Sequence, residues 1–147
     1  MVNAFLFLKK SLHLNTGDVA TVLGVSEADV KKWEVSEQAI PYGVVEQLEE
    51  IDCAIQELAE DKCTELYHLL DEAGVDDVPI YFYKTAEDFR QGEAENYESF
   101  YFSCFQLHTT LQLRLCSLLR PLEIKPIMSY WCRRTMTAND NGSTDDS

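Results

Sequence analysis

Cys104 and His108 stand four residues apart, the spacing that sets a thiol and an imidazole side by side on one helix face. Such a pair could ligate a metal, but zinc wants four ligands at recognised spacings. Two residues read instead as a buried thiol and a core histidine. His13 and His68 have no thiol or carboxylate companion in sequence. The five cysteines (Cys53, Cys63, Cys104, Cys116 and Cys132) are odd in number, and no C-x-x-C occurs. They are expected to be free thiols or small buried hydrophobes rather than a disulfide framework. There is no G-x-S-x-G, P-loop, H-E-x-x-H or G-x-G-x-x-G. Neither an enzyme nor a cofactor is therefore expected. The aromatic run Phe100-Tyr101-Phe102, with Phe105 beyond it, has no basic residues interleaved. It reads as core packing and not as a platform for stacked bases.

These residues belong to a chain of 147, about one domain's worth, with 46% hydrophobic and 26% charged residues. That balance excludes wholesale disorder. The net charge of −14 excludes a generic polybasic nucleic-acid binder. The charge is uneven. Residues 1–43 carry a net −1, residues 44–79 a net −11, residues 80–98 a net −3 and residues 99–147 a net +1. No apolar run approaches the ~18–20 residues of a membrane span. The apolar start, Phe5-Leu6-Phe7-Leu8, lacks a basic lead and the length of a secretory core. The chain is expected to be cytoplasmic and to engage no membrane.

Hydrophobic spacing predicts mainly α-helix. Phe5, Leu8 and Leu12 mark a short amphipathic helix over 3–12. Asn15 and Thr16 are cap-type residues ahead of a helix that Gly24 interrupts, and Ser26 caps another running to Trp33. Asp29 occupies the place where a capping box would put Glu. Pro41 stands where a long helix would begin, and Gly74 where it would end. Within it Val44, Leu48, Ile51, Ile55 and Leu58 form a heptad-like stripe. Lys62 and Glu65 break the stripe, and Cys63, Leu66 and Leu69 or Leu70 resume it on a shifted face. A straight rod of that length would reach about 50 Å, against a globule roughly 40 Å across. It should therefore either protrude or bend near Cys63, and a protruding apolar stripe would need a partner chain. Val78–Tyr83 is β-prone, and Pro79 makes it an edge. Thr85–Arg90 should form a turn or two of helix with Thr85 as cap, and Tyr97–Leu119 a buried helix stopped by Pro121. Residues 137–147 should be a disordered tail.

One stretch, Asn15 to Pro41, meets a set of linked demands. Two short helices crossing steeply through a tight turn need a small residue at their contact, and Ala20 is one. The turn needs a residue at ease with positive φ, and Gly24 is one. Val25 must then point inward, Val30 and Trp33 must be buried on the second helix, and Val19 and Leu23 must complete the interior.

Those positions resemble the helix-turn-helix of phage Cro and repressor proteins, the Xre-like class. The pattern is carried by Val19-Ala20-Thr21-Val22-Leu23-Gly24-Val25-Ser26 and Val30-Lys31-Lys32-Trp33-Glu34. The layout beyond it, notably Tyr81 to Phe89, is similar to small bacterial YdiL-like proteins. The resemblance implies a lambda-repressor-like bundle over 1–58 and a long connecting helix. A helical part with a short β element, 59–136, and the tail would follow. It also implies that the helix beginning after Ser26 is a recognition helix entering the major groove by its N-terminal end. Glu27, Ala28 and Lys32 would face base edges, with Asp29 and Lys31 beside them, and Thr16 would touch the backbone. The expected function is transcriptional regulation through DNA. The fit is incomplete, because Ser36 and Glu37 stand where the class often has Gly and a basic residue. Glu27 and Asp29 also bring carboxylates to a tip meant for a polyanion. A homodimer through Val44, Leu48, Ile51, Ile55 and Leu58 is one expectation, and intrachain burial of that stripe is the other. The competing function is a protein-interaction module whose acidic central helix holds a partner.

Overall fold

The structure is a computed structural model that describes residues 2–93 and 104–131. It is mainly helical. In order come α1 (Val2–Ser11), α2 (Thr16–Leu23), α3 (Glu27–Glu34), α4 (Val44–Ala73), β1 (Asp77–Phe82), α5 (Ala86–Glu93), α6 (Phe105–Leu119), a single 3-10 turn (Arg120–Leu122) and β2 (Lys125–Tyr130). Phe100-Tyr101-Phe102, the expected start of the last helix at Tyr97, Cys132 and the expected tail lie outside the described residues.

Local chemistry sets the element ends. The Asn15 side chain accepts from the Asp18 amide at 2.7 Å, and Asp18 accepts back from the Asn15 amide at 3.0 Å, closing a capping box on α2. Gly24, at φ 69, ends that helix in the left-handed region, where a side chain would be strained. The Ser26 hydroxyl accepts from the Asp29 amide at 3.1 Å and starts α3. Thr85 does the same for α5 through the Asp88 amide. The long helix starts at Val44 rather than at Pro41, because Gly43 at φ 101 turns the chain first. It ends at Gly74, as its sequence requires.

α4 is one unbroken helix of 30 residues, about 45 Å at ~1.5 Å per residue. It is covered along its length. α1 and α6 pack against it, and β1 and β2 pack on α6. Two interiors lie along this spine. The first gathers Phe5, Leu8, Leu12, Val19, Val30, Trp33, Leu48, Ile55, Leu107 and Leu111. The second gathers Cys63, Val78, Ile80, Leu115, Cys116, Leu119 and Ile124, with Leu66 and Leu70 against it. The shifted face therefore turns Leu70 inward and leaves Leu69 exposed. The expected boundary at 58/59 falls inside α4, and the first interior takes residues from both sides of it.

The stripe expected to offer a seam to a second copy is closed within the chain. Val44, Leu48, Ile51 and Ile55 are all buried, and Leu58 is half-buried against the same interior. The four buried residues have little area left to give to a partner.

β1 and β2 form a parallel pair, Asp77 opposite Lys125 through Phe82 opposite Tyr130. Parallel strands need a long crossover, and the chain through α5 and α6 provides it. Val78 and Ile80 face inward from β1 with exposed neighbours between them. β2 exceeds the sequence expectation, which left Leu122–Trp131 without an assigned element.

Polar ties lock α6 in place. The Arg114 guanidinium forms an ion pair with Asp52 and donates to the Asp52 carbonyl at 3.1 Å and to the Ser11 hydroxyl at 3.1 Å. One side chain thus joins α6 to α4 and α1. The Thr110 hydroxyl, four residues earlier, lies within hydrogen-bond reach of the Leu12 carbonyl and 3.3 Å from His13 Nδ1. Arg114→Met should lower stability by about 1–3 kcal/mol in urea unfolding, because Asp52 and Ser11 lose a charged donor at a half-buried site. Adding Asp52→Asn should recover part of that loss. Equal losses for the single and double variants would show that the ion pair is not the source.

Candidate nucleic-acid interface

The sequence-predicted site residues fall on the first two helices after α1. Thr16 opens α2, and Glu27, Ala28, Asp29, Lys31 and Lys32 lie on α3. Their surroundings follow from which face of α3 is used up. Val30 is fully buried and Trp33 is 2% exposed, beneath an edge-to-face contact between the Phe5 and Trp33 rings at 6.0 Å and 88°. Val19 and Ala20 of α2 lie in the same interior. With that stripe committed inward, Glu27, Ala28, Lys31 and Lys32 are exposed and Asp29 is half-buried. Glu27, Ala28, Lys31 and Lys32 therefore come together on the outer side of one eight-residue helix.

Thr16 differs. Its hydroxyl donates to Glu34 Oε1 at 2.9 Å, and Lys9 Nζ reaches the same oxygen at 3.2 Å. Glu34 is thus a junction between α1, α2 and α3. It ties up the Thr16 hydroxyl and neutralises Lys9. Sequence reasoning assigned Glu34 no role. Glu34 closes the Val30–Glu34 run of the pattern, but nothing in that run points to Lys9, which lies 25 residues away in another helix.

The electrostatics are local. Lys10, Lys31 and Lys32 remain outside that pair, while Asp18, Glu27, Asp29 and Glu37 bring negative charge to the same 1–43 segment. Glu27 also reaches back towards α2, where its carboxylate would lie 3.7 Å from a Cβ placed on Gly17. Acidic side chains near helix N-termini are well placed for the helix dipole and poorly placed for a polyanion.

Cys104 and His108 are both buried. Burial pushes the Cys104 thiol up to about 11, with the nearby Asp18 carboxylate adding to the effect. Burial likewise lowers His108 to about 4, and the Lys62 ammonium contributes in the same direction. His108 sits against the rings of Tyr83 and Phe89, with centroids at 5.1 and 5.5 Å. Both groups are held neutral at pH 7. Among the described residues no group of three or more His, Cys, Asp or Glu stands where it could hold a metal ion. No helix among them is long and apolar enough to cross a membrane.

Compared with known protein families the chain finds no match, and no curated protein matches it either.

His108 makes stability depend on pH with a defined sign. The unfolded imidazole takes a proton near 6.5, while the folded one resists until about 4. Acidification through that window favours the unfolded chain, by up to about 3 kcal/mol at its lower end. Above the window the residue adds no pH dependence. Urea midpoints between pH 4 and 7 should fall more steeply for the wild type than for His108→Leu. Parallel profiles would show that the imidazole does not carry this effect.

Proposed function

We propose that Thr16–Glu34 is the helix-turn-helix of a DNA-binding regulator of the Xre-like, lambda-repressor-like class, with α3 as its recognition helix. The observation that supports this reading is the division of α3. Val30 and Trp33 are consumed by the interior, and Glu27, Ala28, Lys31 and Lys32 are left exposed on a capped helix. That is what a major-groove reader must offer. In this reading Lys31 and Lys32 neutralise phosphates or reach base edges. Glu27 accepts from a cytosine N4 amine, and Ala28 allows the helix close approach, with Asp29 beside them. Thr16 reaches the DNA backbone only by releasing Glu34.

A second reading rests on the Lys9–Glu34 pair. It leaves three lysines to meet phosphates, and carboxylates surround them. The same scaffold would then hold a protein partner, with the acidic outer side of α4 (Glu46, Glu49, Glu50, Glu57) as an attraction for basic surfaces.

Fluorescence titration against pooled genomic DNA separates the two. In the DNA reading binding appears at about 50 mM salt. It weakens with a log–log salt slope of about −2 to −3 per chain, as two or three phosphate contacts require. Lys31→Glu/Lys32→Glu abolishes it while circular dichroism stays unchanged. A folded wild type that binds no DNA at that salt favours the protein-interaction reading. Its own signature is capture of a basic protein that salt, but not DNA, competes away.

A further inference from the structure

We propose that the outer edge of β2 pairs antiparallel with β2 of a second copy of this chain, about a two-fold axis at Met128, to give a closed dimer. The strand register fixes which backbone groups are available for this. The Lys125 and Trp131 amides donate to the Asp76 and Phe82 carbonyls, each at 2.8 Å. Backbone groups alternate sides along a strand, so Lys125, Ile127, Ser129 and Trp131 aim theirs at β1. Pro126, Met128 and Tyr130 aim theirs the other way. Among the described residues no hydrogen bond meets the Met128 or Tyr130 amide. The far edge of β1 differs. Pro79 has no amide proton to offer there, and the Tyr81 carbonyl accepts from Gln112 Nε2 at 3.1 Å. The open edge is therefore that of β2, and pairing stops at two copies instead of running on into a fibre.

The side chains of β2 suit a second copy. The register sets Val78 with Pro126, Ile80 with Met128 and Phe82 with Tyr130 on one face of the sheet. Val78 and Ile80 are buried, yet Met128 and Tyr130 are 50% and 61% exposed, because α6 covers β1 more than β2. Antiparallel pairing at Met128 joins the two Met128 backbones by mutual hydrogen bonds. The Tyr130 amide then donates to the partner's Pro126 carbonyl. Pro126, which lacks a donor, falls at the end of the paired run, where the Tyr130 carbonyl opposite it stays in water. Met128 lies beside its own counterpart and Tyr130 beside Pro126, so the apolar face continues across the axis. Residues 126–130 carry no charged side chain, so the contact opposes no like charges although each copy carries −14. A pair of six-residue strands is small against the ~1,200–2,000 Å2 of a stable interface, which makes the dimer weak and dependent on concentration. It stands independently of what the outer face of α3 contacts.

The test is sedimentation equilibrium of the full chain between about 10 µM and about 1 mM, with amide hydrogen exchange read by NMR on the same samples. The wild type should pass from the mass of one copy towards that of two and go no further. Exchange at the Met128 and Tyr130 amides should slow as the dimer fills, while the Ile127 and Ser129 amides, bonded to β1, should change little. Met128→Lys sets like charges against each other on the axis and should weaken association about tenfold or more, with circular dichroism unchanged. Met128→Glu should do the same. An equimolar mixture of the two variants should associate again, since position 128 meets only its own counterpart. If either variant fails to fold, the exchange pattern of the wild type decides. A wild type that keeps the mass of one copy throughout, or grows beyond two, would overturn the proposal. So would a dimer that survives Met128→Lys, a mixture that stays monomeric, or Met128 and Tyr130 exchange that ignores concentration.

Discussion

The packing of α6 along the flank of α4 is the constraint on which the rest depends. α6 is 15 residues long and buries Leu107, Leu111, Leu115 and Leu119, two of them in each interior. Fully burying one such side chain is worth about 1.5–3 kcal/mol. The helix therefore joins the N-terminal helices to the small sheet through shared apolar contact. Arg114 and Thr110 then fix its register on α1 and α4, because a slip of one residue would leave their polar groups unpaired. The two-stranded parallel sheet relies on the same helix. Such a pair is marginal alone, and it persists here because Val78 and Ile80 are buried in the interior that α6 completes.

Sequence made most of the N-terminal fold legible. Asn15, Gly24, Ser26 and Gly74 set helix ends through local hydrogen bonds or positive φ, and local chemistry can be read without partners. Spacing identified the stripes of α1 and α4 for the same reason. What covers a stripe depends on residues far along the chain. Val44 to Leu58 therefore read as an intrachain core first and a seam between copies second, and only α1 and α6 show what covers the stripe. β2 was hidden because Lys125-Pro126-Ile127-Met128-Ser129-Tyr130 is mostly exposed and has no alternation of buried and open positions. Its strand character comes from pairing with β1. At the candidate interface Lys31 and Lys32 were legible, whereas the Glu34 junction was not, since its two partners, Lys9 and Thr16, come from two other helices.

The central acidity of the sequence is a weak guide to what the N-terminal helices can meet. Charges farther off than about 8–10 Å are largely screened at physiological salt. α4 is about 45 Å long, so most of its carboxylates lie beyond that reach from α3. What matters is the local set. Lys31 and Lys32 project from an exposed helix face, and Glu27 shares it. Lys9 is held by Glu34. A polyanion approaching that face gains from two lysines and loses at one carboxylate, a small net attraction.

That arithmetic turns the closed stripe of α4 into a statement about affinity. Two or three phosphate contacts per chain give a weak complex, and a dimer would double them. Val44, Leu48, Ile51 and Ile55 offer little to such a dimer, since they are already buried within the chain. Tight binding to DNA would then require another surface to bring two copies together, or a larger share of the energy from base edges than from phosphates. The second route depends on the stiffness of α3. A capped eight-residue helix, pinned by Val30 and Trp33 and stapled to α1 and α2 through Glu34, loses little freedom on docking. The Glu34 junction that occupies Lys9 also ties α3 to α1 and α2, so its loss would free a positive charge at the expense of the orientation of α3.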